Sequence, residues 1–121
     1  MIYLATPFWH KFSEVREARY HAACKVAAYF IFDRLPIYCP VVHCYHIDAL
    51  APRTNIFWIE HNLNLLGSAK KLIAATIPGY LSSSGMKQEM KFATANDIPV
   101  ELFDVRKLFH QQEYEFLETF F

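Results

Sequence analysis

The sequence predicts an α/β fold, a single domain over residues 1–121 in which a mostly parallel sheet of four or five strands is covered by helices on both faces. Two observations predict the class. Short unbroken apolar runs such as "YLA" and "KLIAATI" alternate with amphipathic stretches, as buried parallel strands alternate with crossover helices. The 121 residues suit one domain able to bury roughly two thirds of the surface its unfolded chain exposes, and no internal repeat or low-complexity segment interrupts them.

Taken in order, "MIYLA" reads as a first strand that runs into "TPF", a proline-containing turn. From Ser13, a residue suited to an N-cap, Val15, Ala18, Ala22, Val26 and Phe30 recur at three- or four-residue spacing, which predicts a helix to about Asp33. "PIYCPVV" reads as a second strand, confined by Pro40 to an edge or a strand end. A loop, "HCYHIDALAPRTN", follows, in which a fifth strand around residues 44–50 is allowed but not demanded. Thr54 or Asn55 then caps a helix whose buried stripe is Ile56, Ile59, Leu63 and Leu66 and which stops at Gly67. "KLIAATI" is a third strand, and the polar "PGYLSSSG" leads into a helix from about Ser83 to Ala95. "IPVELF" is a fourth strand, and Asp104 caps a last helix over 105–121. The arrangement is a flavodoxin- or Rossmann-like three-layer sandwich.

Composition excludes several roles. Lys plus Arg equal Asp plus Glu at 12 each, so no broad positive field would hold a nucleic-acid polymer. No apolar run is long enough to span a bilayer, and no charged region precedes the apolar N-terminus, so neither a membrane partner nor a signal peptide is expected. Three cysteines, Cys24, Cys39 and Cys44, form no CxxC pair, which suits reduced thiols and a cytoplasmic setting. Aromatic residues make up 17% of the chain and crowd "YEFLETFF". Phe116, Leu117, Phe120 and Phe121 predict homo-oligomer contacts, with docking of the tail on its own chain as the alternative.

An open parallel sheet places its ligand crevice beyond the carboxyl ends of its strands. That rule gathers Thr6, Pro7 and Phe8, then His43 and His46, then the loop from Pro78 to Gly85, with Glu89 one turn further on. Gly85 and Glu89, at i and i+4, share a helix face, and the glycine leaves room above the carboxylate. Cys39, His43, Cys44 and His46 do not have the paired spacing of a zinc site. No GxGxxG or Walker motif is present, so no metal and no cofactor is expected.

Five segments in order, "YLATPF", "VREARYHAACKVAA", "CPVVHCYHI", "FWIEHNLNLL" and "PGYLSSSGMKQEMKFA", carry a resemblance over residues 2 to about 103. The sequence resembles the nucleoside 2-deoxyribosyltransferase-like superfamily, in particular its small, frequently phage-borne branch, for which the setting would be the host cytoplasm. The resemblance implies retaining N-glycosyl transfer or hydrolysis on a 2-deoxyribonucleoside or its 5′-monophosphate. Glu89 would be the nucleophile and Tyr3 the group that orients it. Gly79, Ser83 and Gly85, with Arg16 and Arg19, would hold the sugar 5′ side or a phosphate. Pro7, Phe8, His43 and Trp58 would line the substrate site, with Phe8 and Trp58 stacking on the base.

Two departures stand out: before strand three this chain reads "SAKK" where the family tends to carry an acid, and the second concerns the leaving base. Where the family carries an aspartate that protonates the leaving base, four residues after the tryptophan, this chain has Asn62; His61, Glu60 and Asp48 are the neighbours able to take over. Leaving-group protonation is worth about 10²- to 10⁴-fold. The alternative expectation is therefore a nucleotide-binding module with weak or no turnover.

Overall fold

The computed structural model describes residues 1–119. The strands are β1 (Ile2–Ala5), β2 (Ile37–Tyr38), β3 (Lys71–Ala75) and β4 (Val100–Phe103), and the helices are α1 (Ser13–Phe32), α2 (Pro40–Leu50), α3 (Asn55–Leu66), α4 (Ser84–Ala95) and α5 (Gln111–Thr119). The four strands form one sheet in the order β2-β1-β3-β4, and every pair is parallel. In register, Ile2 faces Ile37 on one side and Lys71 on the other, and Leu72 faces Val100. Among the described residues no helix is long and apolar enough to cross a membrane.

Successive side chains of a strand point to opposite faces, and β1 shows the consequence. Ile2 and Leu4 enter one core with Ala22, Ala23, Val26, Ala27 and Phe30 of α1. Tyr3 and Ala5 enter the other, with Leu66 of α3 and Met86 and Ala93 of α4. The small residues of α1 let the helix lie close to the sheet. Because β1 has β2 on one side and β3 on the other, the crossovers leave in opposite directions, opening a crevice beyond the carboxyl ends of β1 and β3.

Four expectations about elements need correction. The second strand is only Ile37–Tyr38, and the segment expected to complete it and then loop is the helix α2. Two adjacent β-branched residues, Val41 and Val42, suggest a strand, but Pro40 occupies the first helical turn, where its missing N–H is not needed and its fixed φ already fits. Ser13 is the first residue of α1, after Phe12 at the N-cap. In α3, Ile56 is exposed, and only Leu66 is fully buried; Thr54 is the N-cap, its hydroxyl accepting from Phe57 N–H. Finally, Asp104 accepts from Arg106 N–H but starts only a 3₁₀ turn, Arg106–Leu108, and α5 begins later.

α5 docks on its own chain. Leu117 is buried in the α1 core with Tyr114 packed beside it, and Lys25 of α1 pairs with Glu113 at 2.7 Å. That exposed ion pair adds little, so Leu117 is the anchor. Phe116 stays exposed, and Phe120 and Phe121 lie outside the described residues. Leu117→Ala should cost about 2–4 kcal/mol, the usual scale for emptying a buried leucine site. A lower urea midpoint with an unchanged slope is the expected result.

Candidate active site

The crevice is a cleft of about 1230 Å³ with Glu89 in its lining. Glu89 projects from the second turn of α4, and the hydroxyl of Tyr3, itself fully buried in β1, donates to Glu89 Oε2 from beneath. Among the described residues Oε1 has no hydrogen bond. Burial pushes the carboxyl up to about 7, and the Tyr3 hydrogen bond pulls the other way. Burial, and then the Glu89 charge, hold the Tyr3 phenol far above its ordinary value, so it acts only as a donor.

One rim is the β3–α4 loop. Pro78 and Gly79 form the centre of a turn closed by Tyr80 N–H on Ile77 O at 3.0 Å, with Gly79 at φ 100°, where a side chain would be strained. Ser82 Oγ donates back to Gly79 O, and Ser83 Oγ caps α4 by accepting from Met86 N–H at 3.2 Å. Gly79, Ser83, Ser84 and Gly85 all line the cleft, so the positive end of α4 faces it. A Cβ at Gly85 would meet only Ser83 Oγ, 4.0 Å away, so the space above Glu89 is open.

The β1–α1 loop forms a second rim. Arg19, only 4% exposed, donates through one Nη to Trp9 O, while its Nε is buried without a partner. Arg16 donates to His10 O at 2.6 Å and stacks on Trp9. Neither arginine pairs with Glu14 or Glu17, although both stand close in sequence. The two cations hold the loop's carbonyls and line the cleft.

The far wall comes from α2 and α3. Asn62 Oδ1 accepts from Tyr38 hydroxyl at 3.2 Å, so its carbonyl oxygen is satisfied by a side chain and not by backbone. Tyr38 and Tyr3 lie ring to ring at 5.8 Å. Glu89, Tyr3, Tyr38 and Asn62 thus form one chain of contacts along the floor. Trp58, one turn before Asn62, donates from Nε1 to Asp48 Oδ1 at 2.7 Å. Phe8 meets Tyr45 edge to face, and Tyr45 stacks on Tyr20 at 4.1 Å. Burial raises the thiols of Cys39 and Cys44 to about 11, so both stay protonated near neutral pH. No group of three metal-ligating side chains occurs among the described residues.

Of the residues expected at the crevice, the cleft gathers Thr6, Phe8, Arg16, Arg19, His46, Trp58, Asn62, Gly79, Ser83, Gly85 and Glu89. Tyr3 supports it from below. Pro7 is buried and His43 lies elsewhere, stacked parallel to His61 over a small hollow behind α2. The helix explains the correction for His43. Val41, Cys44, Tyr45, Asp48 and Ala49 follow helical spacing and face the cleft, whereas His43, Ile47 and Ala51 follow it on the other side. Of the three substitutes for an acid at position 62, His61 lines that second hollow and Glu60 is exposed outside the cleft; Asp48 alone lines it. The structure adds Tyr45 and Trp9 to the lining and Tyr38 beside it, and a helix starting at Pro40 is the signal that brings in Tyr45.

A family model described as a domain of unknown function, DUF1937, matches residues 1–105. The chain belongs to this family. The DUF1937 match takes in all four strands and every residue lining the cleft, and it stops before α5. No curated protein matches the chain.

Proposed function

We propose that this DUF1937 chain performs retaining N-glycosyl transfer or hydrolysis on a 2-deoxyribonucleoside or its 5′-monophosphate, in the manner of the nucleoside 2-deoxyribosyltransferase-like proteins it resembles. The observation that carries the reading is the Tyr3–Glu89 pair at the floor of a cleft with ample room for a nucleoside. Glu89 attacks the anomeric carbon, the carbon–nitrogen bond breaks, and the base leaves with the electron pair and takes up a proton. Water or a second base then displaces the carboxylate, which restores Glu89 and the original configuration at the sugar. Arg19, with its unpartnered Nε, and the amino end of α4, both lining the cleft, suit a 5′-phosphate.

The test is incubation with a panel of deoxynucleosides and their monophosphates, with and without an acceptor base, followed by assay of free base and of a sugar adduct on the protein. Release of base with a trapped adduct on Glu89 is expected, and release without any adduct rejects the covalent route.

A pH profile adds a sharper check. The nucleophile must be ionised, so activity should fall as pH drops through about 7, the value to which burial raises Glu89. Tyr3→Phe removes the donor that lowers that value, so the midpoint should move to higher pH. A midpoint that stays in place would count against Tyr3 as the orienting group.

A second reading is favoured by Asn62, whose amide cannot deliver a proton to a leaving base. It is a nucleotide-binding module without turnover, and it predicts calorimetric binding with no base release over long incubation.

A further inference from the structure

On the far wall, Asp48 is held in an unusual way for a half-buried carboxylate. Its Oδ1 accepts twice, from Trp58 Nε1 at 2.7 Å and from Arg53 N–H at 3.1 Å. Among the described residues Oδ2 accepts nothing. Both donors come from outside α2, so the carboxylate is fixed from the α3 side while its residue lines the cleft beside Tyr45, Trp58 and Asn62. The Asn62 amide has a similar asymmetry, since Oδ1 takes the Tyr38 hydroxyl and no bond to Nδ2 is made among the described residues. The wall thus offers one acceptor and one donor between aromatic faces.

We propose that Asp48 is the residue that selects the base, through Oδ2 accepting an exocyclic amine, with Asn62 Nδ2 donating to the adjacent ring nitrogen. The ligand class is an amino-bearing nucleobase with a ring acceptor next to the amine, as in adenine and cytosine. A keto pyrimidine offers its N–H between two carbonyl oxygens, and a carboxylate pressed against them is repelled. The Trp58 and Arg53 hydrogen bonds hold Asp48 below the usual carboxylate range, so near neutral pH it accepts hydrogen bonds and does not act as an acid. That separates recognition of the base from its protonation. The contact chain from Glu89 through Tyr3 and Tyr38 to Asn62 puts two rings between the nucleophile and this wall, which orders sugar and base along the cleft.

The inference rests on the function proposed above. Its test is calorimetry on the Glu89→Gln background, titrating deoxyadenosine, deoxycytidine, thymidine and deoxyuridine. The amino-bearing pair should bind about 10-fold or more tighter than the keto pair, the scale of one hydrogen bond to a charged group. Asp48→Asn keeps an oxygen for Trp58 and turns the other position into a donor that faces the exocyclic amine, so the amino preference should be lost, and Asp48→Ala should erase it as well. Nucleoside binding with no preference, or with a preference that neither substitution moves, overturns the role of Asp48 alone. Absence of binding by all four nucleosides, and by their 5′-monophosphates, overturns the proposed function and this inference together.

Discussion

Glu89→Gln should abolish base release, by about 10⁴-fold or more if the covalent route is the only productive one, while making the folded protein more stable at neutral pH. The two effects have one origin. The cleft floor lifts the Glu89 carboxyl to about 7 by withdrawing water from its charged form. A group whose value is raised by folding contributes its stability while protonated and loses it as pH climbs from the unfolded value, 4.5, through about 7. Ionising Glu89 therefore costs up to about 3 kcal/mol at one pKa unit per 1.36 kcal/mol. A neutral amide escapes that cost and still accepts from the Tyr3 hydroxyl. Thermal melts should show the substituted and natural proteins close together at pH 4 and separating as pH rises to 8, with Glu89→Gln the higher. Equal melting at pH 8 would mean that the carboxylate is well solvated, and activity surviving the substitution would remove Glu89 from the chemistry.

Asn62→Asp should raise the rate of base release by about 10²- to 10⁴-fold, the contribution expected from a proton donor to the leaving group. The substitution suits its surroundings. Tyr38 hydroxyl donates to Asn62 Oδ1, and a carboxyl oxygen at that place accepts the same bond. Cys44, 3.9 Å from the same oxygen, is a protonated thiol and does not repel it. The gain should be largest for the poorest leaving bases and should vanish at high pH, where the new carboxyl is ionised. A rate that does not change would assign the proton to solvent and weaken the comparison with enzymes that carry an acid at this position.

Much of the architecture was legible in the sequence because strands and amphipathic helices carry strong periodic signals. The runs around Tyr3 and Ile73, the Thr54 and Ser83 caps and the break at Gly67 all follow from local chemistry. α2 was not legible as a helix, because Val41 and Val42 carry the signal of a strand and its face toward the cleft is mixed in polarity. Only Pro40 of that helix is buried. The contact between Tyr3 and Glu89 depends on the order of the strands and is 86 residues long in sequence. The five-segment likeness suggested it, whereas spacing alone could not. Asp48, His61 and Glu60 stand alike in the sequence, and only the turn of α2 and the Trp58 bond single out Asp48.

The shallow seating of α2 gives the molecule a modular character. Glu89, Tyr3 and the strands beneath them form a fixed chassis, whereas Tyr45, Asp48 and Ala49 ride on an element that fully buries only a proline and rests Val41 and Val42 against the core. Under the proposed function, substitutions along that one surface retune ligand choice without touching the Tyr3–Glu89 pair, and chains built on the same frame diverge in what they accept.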